Sequence, residues 1–498
     1  MAAHSSAARD PWRAPAWSRI DTIALASLLA AATVLHFWHL GYPPEIVFDE
    51  KFTVSQARCY LMHLPYRTTH PPVAAMTTAV LMWVLGDQPV AWRIGSATLG
   101  TVLVGVTYLL GRRVLNSGVG ATCVAGFVLC DGLFLADSRL CLWEIYYLTF
   151  LAVAYLMLAR FVQTPDVREG RRYLAIMGAM LGLALGSKFA LPAIGAILVT
   201  VFAALSLIVR MSGSRDKIDL RRAMPLIIDM VALVGGTTAF VYLGLFFLNY
   251  WFGWWGGIED HLTYVKQELH SQTLMVGAHP YASQWWTWPL MLRPLLYWFQ
   301  TNFFNDPQMP TSSIRGMGNP IVWWAVVAAM VSAIARAVAQ RENFLREVLS
   351  DWRWAFVVVG YLAFYIVWIP VARYKFIYYY MPALYFGFFA LADLLDRCWN
   401  GRAKTVEQGA LLAVLVPALL LSFGVFAAMV ITILIAAAYA IATWRDARVA
   451  GKFASVIFLL AVGGSFVYFL PLWTGIPMSH SAFDARLWFR GPGLPNWL

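Results

Sequence analysis

Two adjacent carboxylates, Asp49 and Glu50, are the residues of this sequence best suited to chemistry. They follow a long apolar segment, and acidic residues at such a boundary commonly only mark the edge of a membrane. A carboxylate there can also act as a general base, because it can accept the proton of an attacking hydroxyl group. In an inverting reaction no second carboxylate is needed as a nucleophile. We therefore take Asp49 and Glu50 as the candidate catalytic pair.

Four basic residues lie near the ends of apolar segments on the same predicted side: Arg139, Lys188, Arg373 and Lys375. Basic residues are uncommon on the translocated side of a membrane protein, so each needs a reason. One reason is snorkelling to ordinary lipid phosphates. The other is binding the phosphate of a lipid carrier, whose departure from a sugar such charges would stabilise. We predict carrier-phosphate binding for all four.

Two further segments contain histidine in well-defined surroundings. His70 precedes two prolines, which stop a helix and hold the preceding residues in a turn. A lone histidine in such a turn is more often structural than catalytic, so we assign it positioning. The second segment contains His279, Tyr281, Ser283 and Trp288 within a tryptophan-rich run. Its aromatic side chains either lie at the membrane interface or form an acceptor surface, and both interpretations stay open.

No metal or redox site is indicated. The five cysteines show no CxxC or Cys/His spacing, and the interval between His270 and His279 is not a metal-ligand spacing. The predicted outer loops contain no carboxylate cluster beyond Asp49 and Glu50. We therefore expect no metal and no other cofactor.

The composition predicts an integral membrane protein. Of the 498 residues, 60% are hydrophobic and 13% are charged, which is too few charges for a water-exposed surface of this size. The net charge of +11 could suggest a nucleic-acid partner. However, the basic residues concentrate in short loops between apolar stretches, which is the pattern of membrane topology. We expect the lipid bilayer as partner and no nucleic acid.

Apolar stretches of about 20 residues predict an all-α polytopic protein with 11–13 transmembrane helices. The stretch 408–443 is too long for one crossing and has Gly424 near its middle, so we predict two crossings there. The other predicted spans are 21–41, 91–112, 118–136, 143–162, 172–187, 189–209, 224–249, 318–338, 352–371, 375–396 and 452–470.

Lysine and arginine collect in every second loop, which makes those loops cytoplasmic and leaves two long loops, 42–90 and 250–317, on the opposite face. We predict amphipathic or interfacial helices near 50–63 and 73–85 within the first of them. The chemistry is then expected outside the cytoplasm, on the periplasmic side of the inner (plasma) membrane.

Two modules are predicted along the chain. Residues 1–396 would form a transmembrane catalytic module that includes both outer loops, and residues 397–498 a C-terminal transmembrane module with an external tail.

Nine segments in collinear order resemble the bacterial type of protein O-mannosyltransferase, and together they run through most of the chain. They are FDEKF (48–52), HPP (70–72), WRIGSATLG (92–100), ADSRLCLWE (136–144), GLALGSKFA (182–190), HPYASQWWTWP (279–289), GNPIVWW (318–324), RYKFIYYYMPALYF (373–386) and FLPLWTGIP (469–477).

The resemblance implies a C-type glycosyltransferase fold that transfers mannose from polyprenyl-phosphate-mannose to Ser or Thr hydroxyls of exported proteins. It implies that Asp49 is the base and Glu50 its supporting partner. It implies a carrier-phosphate or structural contact for Arg139, and Lys188 stands where the family keeps a lysine.

The sequence departs from the family pattern at several positions, and this leaves the acceptor open. Thr68 replaces an acidic residue, apolar residues follow Pro72 where a lysine is usual, Glu144 replaces an aspartate and Tyr379 a frequent histidine. The related lipid A aminoarabinose transferases share fold and carrier, so a lipid or glycan acceptor is the alternative. A transporter is disfavoured, because the sequence shows no paired half-repeats.

Overall fold

The computed structural model describes residues 12–66, 70–188, 191–211, 220–274, 276–277, 279–301, 309–339, 351–490 and 493–497. Thr68, one of the departures from the family pattern, lies outside them.

Helices form most of the described secondary structure. They are α1 Arg19–Phe37, α2 Glu50–Leu61, α3 Val73–Leu85, α4 Pro89–Leu115, α5 Gly118–Leu129, α6 Gly132–Arg139, α7 Trp143–Gln163, α8 Val167–Leu185, α9 Leu191–Met211, α10 Leu220–Asp229, α11 Gly236–Gly244, α12 Phe247–Trp251, α13 Ile258–Leu274, α14 Pro320–Ala339, α15 Trp352–Trp354, α16 Gly360–Ile366, α17 Met381–Trp399, α18 Thr405–Ala413, α19 Leu415–Arg445, α20 Ala447–Thr474 and α21 His480–Arg486. Short π-helical or 3₁₀ segments are Met230–Gly235, Trp285–Thr287, Ala355–Val359 and Ile377–Tyr380.

The predicted class, an all-α multi-pass membrane protein, is confirmed. Within the described ranges, seven helical stretches are long and apolar enough to cross a membrane, or eight if α5 and α6 form one bent span. Four other predicted spans are helical over most of their length but shorter or more charged than these: 172–187, 318–338, 352–371 and 375–396.

The long apolar stretch near the C-terminus folds back on itself, as predicted. Gly424 has φ +77°, a left-handed conformation that glycine adopts at low cost, and it interrupts α19. The Tyr439 hydroxyl, on the far side of this break, donates hydrogen bonds to the Thr405 carbonyl (3.3 Å) and to Gln408 Oε1 (3.0 Å). The two halves therefore lie antiparallel.

The predicted span 118–136 is broken at Asp131, where α5 and α6 meet at an angle of 58°. One Asp131 oxygen accepts a hydrogen bond from the Leu133 amide and so caps α6. The other accepts from the Trp323 indole (2.7 Å) and the Asn319 amide (3.0 Å). A buried carboxylate with this many donors fixes the bend and directs α6 towards the site described below.

The described parts of both long loops contain regular secondary structure. The helices predicted near 50–63 and 73–85 are confirmed as α2 and α3, and their position at the membrane interface stays a prediction. The loop 250–317 contains α13 and also a two-stranded antiparallel sheet, which the sequence analysis did not predict. Its strands are β1 Leu295–Gln300 and β2 Ser312–Gly316.

The C-terminal tail packs against the same loop. The Trp497 indole is fully buried and donates a hydrogen bond to the Met291 carbonyl (2.8 Å), while the Asn496 amide donates to the Leu292 carbonyl (2.8 Å). The predicted module boundary at residue 396 stays a prediction.

Candidate active site

Asp49 lies at the N-terminus of α2, in the turn that follows Phe48. Phe48 has φ +49°, and its ring packs 4.8 Å from that of Tyr297. The Asp49 side chain makes no capping hydrogen bond to α2. No ion pair or hydrogen bond holds this carboxylate among the described residues, so it is available to accept a proton.

Glu50, the second member of the predicted pair, is fully buried in an ion pair with Arg93 of α4. Arg93 Nε donates to one Glu50 oxygen (2.8 Å) and Nη2 to the other (2.9 Å). The backbone amides of Val47 and Cys141 also donate to these oxygens (2.9 Å each). Because both oxygens are occupied, the contacts favour a supporting role for Glu50.

The environment of Asp49 shifts its protonation into the physiological range. Burial raises the pKa of this carboxyl to about 7, and the negative charge of Glu144 adds to the rise. The positive charges of Lys51, Lys188 and Arg373 oppose it. A base whose pKa lies near the working pH is well matched to general base catalysis.

Lys188 and Arg373, two of the predicted phosphate-binding residues, lie close enough to Asp49 to affect its charge. Lys188 Nζ is 2.5 Å from a Glu144 oxygen and lies over the rings of Tyr378 and Tyr379, 5.0 Å and 5.1 Å from their centroids. Arg373 lies over the Tyr379 ring as well, at 5.9 Å. Its buried Nε has no hydrogen-bond partner within the described ranges.

The structure does not bring Arg139 and Lys375 into this group. Arg139 donates to the carbonyls of Leu35 and Trp38 (2.7 Å each), and so satisfies the C-terminal end of α1. Lys375 Nζ donates to the Val371 carbonyl (2.5 Å). These contacts support a structural role for Arg139, the second interpretation given above for that residue.

His70 packs in the interior beside the site. Its ring stacks on Trp143 at a centroid distance of 3.8 Å. Burial lowers the pKa of His70 to about 3, and the charges of Lys188 and Arg373 contribute to the shift. A neutral, stacked imidazole is in keeping with the positioning role predicted for it.

The segment 279–288 is fixed by its own hydrogen bonds. The Ser283 amide donates to the Lys375 carbonyl (2.7 Å), and the buried Trp288 indole donates to Ser283 Oγ (2.9 Å). The Tyr281 amide donates to His279 Nδ1 (3.2 Å). These contacts hold Ser283 and Trp288 inside the fold, whereas His279 and Tyr281 are only partly buried.

Two openings adjoin the charged group. One is a cavity of about 810 Å³, lined by Phe52 and Gln56 of α2 and by aromatic and amide side chains of α13, among them Tyr264 and Gln267. Phe52 lies one helical turn beyond Asp49. The other is an apolar groove of about 370 Å³, lined by Ile194, Leu274 and Val371, among others.

Some residues that contribute to the site were not identified as candidates from the sequence. Arg93 lies in the motif WRIGSATLG, and a basic residue near the start of a predicted span could have marked it as a candidate. Gln272 and Glu268 lie on α13 beside Arg373, and no sequence pattern connects them to it. In the part of the chain that the structure describes, no group of three or more His, Cys, Asp or Glu residues could hold a metal ion. The absence of a metal from the mechanism stays a prediction.

Comparison with known families accounts for most of the chain. The family described as dolichyl-phosphate-mannose-protein mannosyltransferase matches residues 86–254, and the C-terminal four TMM region of protein-O-mannosyltransferase matches residues 258–491. The chain belongs to the protein O-mannosyltransferase family. This confirms the resemblance, and with it the class of enzyme, a glycosyltransferase.

Individual members of the family align with most of the length of this chain. Polyprenol-phosphate-mannose–protein mannosyltransferases of Mycolicibacterium smegmatis and Mycobacterium tuberculosis are each 23% identical, over 95% and 94% of this chain and 92% and 90% of their own. That of Corynebacterium glutamicum is 25% identical over 79% of this chain and 86% of its own.

Solved structures confirm the predicted C-type glycosyltransferase fold of this chain. The Saccharomyces cerevisiae Pmt1–Pmt2 complex bound to the sugar donor superposes with a TM-score of 0.71 at 15% identity, covering 96% of this chain and 93% of that one. ArnT from Cupriavidus metallidurans in the apo state gives 0.54 at 14% identity, covering 91% and 78%.

Breaking the Glu50–Arg93 pair should destabilise the fold. Arg93→Leu leaves a buried, unpaired carboxylate, so we expect a loss of about 3–5 kcal/mol in the free energy of unfolding, seen as a lower melting temperature in detergent. The exposed Arg58–Asp87 pair is the control, since Arg58→Leu should cost no more than about 1 kcal/mol. Equal melting temperatures for the two variants would contradict this account.

The rate should rise with pH as Asp49 ionises. With a pKa near 7, kcat/KM for the acceptor should increase between about pH 6 and 8. Glu144→Gln removes a negative charge and frees the positive charge of Lys188, and both effects lower the pKa of Asp49. The midpoint should therefore move to lower pH, whereas Asp87→Asn should leave it in place. A midpoint unaffected by Glu144→Gln would count against Asp49 as the titrating group.

Proposed function

We propose that this protein transfers mannose from polyprenyl-phosphate-mannose to Ser or Thr hydroxyls of exported proteins. The observation that carries the proposal is the Asp49 carboxylate, which has no hydrogen-bond or ion-pair partner among the described residues, lies near the charges of Lys188 and Arg373, and is one helical turn from a cavity of about 810 Å³. The names of the mycobacterial relatives support the donor and the protein acceptor.

The reaction is a single inverting displacement. Asp49 accepts the proton of the acceptor hydroxyl while its oxygen attacks the anomeric carbon of mannose. The bond between that carbon and the phosphate oxygen breaks, and the electron pair leaves with the carrier phosphate. Negative charge grows on the phosphate as the bond breaks, and the positive charges of Lys188 and Arg373 stabilise it.

The apolar groove fits the isoprenoid part of the carrier. Its walls come from α9, from the end of α13 and from the turn after α16, and its lining includes Ala372, the residue directly before Arg373. A hydrocarbon tail in this groove would place its phosphate beside the cation. Removing the apolar tail from water lowers its free energy, while the phosphate stays near the positive charge of Arg373.

The aromatic cavity beside α2 is the proposed entry for the acceptor. Its lining begins one turn beyond Asp49 and combines ring faces with the amides of Gln56 and Gln267. Such a surface suits neutral polar substrates, and its volume lies within the roughly 300–1,000 Å³ typical of ligand sites.

The reaction takes place outside the cytoplasm, on the periplasmic side of the inner membrane. The support is the charge pattern, because the loops at the other ends of the spans hold most of the lysine and arginine residues. No cofactor takes part.

Asp49→Asn should reduce turnover by the roughly 10²–10⁴-fold typical of a lost acid–base group, because an amide cannot accept the proton. Carrier binding and melting temperature should stay close to wild type. Initial rates at saturating carrier with a Ser/Thr peptide measure the effect, and Asp87→Asn is the same chemical change elsewhere in the loop 42–90. More than half of normal turnover would remove Asp49 from the mechanism. If labelled sugar enters a protease-resistant lipid product instead of peptide, the acceptor is a lipid or glycan.

Filling the groove should weaken binding of long carriers only. Ile194→Trp narrows the groove, so KM for a full-length polyprenyl donor should rise about tenfold or more, the scale of losing part of a buried apolar contact. A donor with one or two isoprene units should be nearly unaffected. Ile197→Trp, one turn along the exposed side of α9, is the control. An equal KM change for short and long donors would place the tail elsewhere.

A further inference from the structure

Glu268 is a fully buried carboxyl group that the proposed reaction does not use. It lies on α13, and its Oε1 accepts a hydrogen bond from the amide of Gln272, one turn further along (3.3 Å). Its Oε2 has no hydrogen-bond partner in the described ranges. Burial raises the pKa of Glu268 to about 8, and the charges of Arg373 and Lys188 oppose the rise. The same two cations therefore act on both Glu268 and Asp49.

Gln272 connects this carboxyl to Arg373. Its own side chain is buried, and its Oε1 accepts a hydrogen bond from Arg373 Nη1 (2.9 Å). Arg373 is otherwise held by backbone: Nη1 donates to the Ser271 carbonyl (3.0 Å), and its amide donates to the Thr273 carbonyl (3.2 Å). Within the described residues, Gln272 therefore provides the one side-chain oxygen that accepts a hydrogen bond from the guanidinium.

The hydrogen-bonding groups of Arg373, Gln272 and Glu268 permit one orientation of the Gln272 amide. A guanidinium only donates hydrogen bonds, so the oxygen of the Gln272 amide must face Arg373. The amide nitrogen then faces Glu268, which accepts its hydrogen. Glu268 thus fixes which way the amide points, and the amide fixes where the guanidinium lies.

We infer that Gln272 is a positioning residue that, with Glu268, holds Arg373 towards the carrier phosphate. This rests on the proposed function and on the binding of that phosphate by Arg373. Gln272 touches neither substrate. It acts through Arg373, and its contribution grows as negative charge develops on the departing phosphate, because a guanidinium already in place needs no reorganisation.

Removing the amide should lower turnover without affecting the acceptor. For Gln272→Ala we expect kcat to fall about tenfold or more, as for one lost hydrogen bond to a charged group, with an unchanged KM for the acceptor peptide. In an Arg373→Ala background the same substitution should cause little further loss, because its effect passes through the guanidinium. Lys266→Gln, an exposed change on the same helix, is the control and should leave kcat unchanged.

Exchanging the two side chains tests the arrangement itself. Glu268→Gln combined with Gln272→Glu keeps both hydrogen bonds. The bond between positions 268 and 272 has its donor and acceptor reversed, because the amide at 268 donates to the carboxylate at 272, and this carboxylate still accepts from Arg373. Gln272→Glu alone places two carboxyl groups side by side. The combined variant should therefore have a higher kcat than Gln272→Glu alone and a near-normal melting temperature, and a kcat no higher than that of Gln272→Glu would contradict the arrangement.

Two results would overturn the inference. One is a wild-type kcat for Gln272→Ala while Arg373→Ala is impaired; the other is a loss from Gln272→Ala that is equally large in the Arg373→Ala background. Either leaves the proposed function intact. Failure of the wild-type protein to transfer mannose from the carrier would instead overturn the proposed function.

Discussion

The ion pair between Glu50 and Arg93 joins the segments that meet at the candidate active site. Arg93 lies on α4 and forms an ion pair with Glu50 at the start of α2. It also donates hydrogen bonds to the backbone carbonyls of Pro43 and Glu45. Glu50 in turn accepts from the Cys141 amide, just past α6. Two charges without exposed surface are costly unless every oxygen and nitrogen is paired. Their pairing fixes the turn that holds Asp49, and the rest of the site is arranged around that turn.

The charged residues around this turn have different partners. Within the described ranges the Asp49 carboxylate has no hydrogen-bond or ion-pair partner, while Glu144 neutralises much of the charge of Lys188 at 2.5 Å. Arg373 is held instead by neutral groups of α13, so its positive charge remains available. The same helix lines both the aromatic cavity and the apolar groove. One element thus adjoins the proposed acceptor, the proposed carrier tail and the cation between them.

The class of fold and the neighbourhood of Asp49 could be predicted from the sequence, because apolar length and the positive-inside pattern depend on local composition. The hairpin at Gly424 and the helices α2 and α3 follow from the same kind of signal. Arg93 itself carried a signal, but its pairing with Glu50 could not be predicted, because the two residues are distant along the chain and only the fold brings them close. For the same reason Arg139 and Lys375 resemble Lys188 in sequence yet contact backbone carbonyls. The strands β1 and β2 consist of an apolar aromatic run and a short polar one, which periodicity alone does not distinguish from interfacial loop.

The central claim is that a hydroxyl group activated by Asp49 displaces the carrier phosphate directly. The most direct measurement is the anomeric configuration of the sugar on a defined Ser/Thr peptide, determined by NMR after reaction with polyprenyl-phosphate-mannose of known configuration. A single displacement predicts mannose linked to the hydroxyl oxygen with the configuration opposite to that in the donor. Retention of the donor configuration would require a covalent intermediate or a different nucleophile, and would contradict the account.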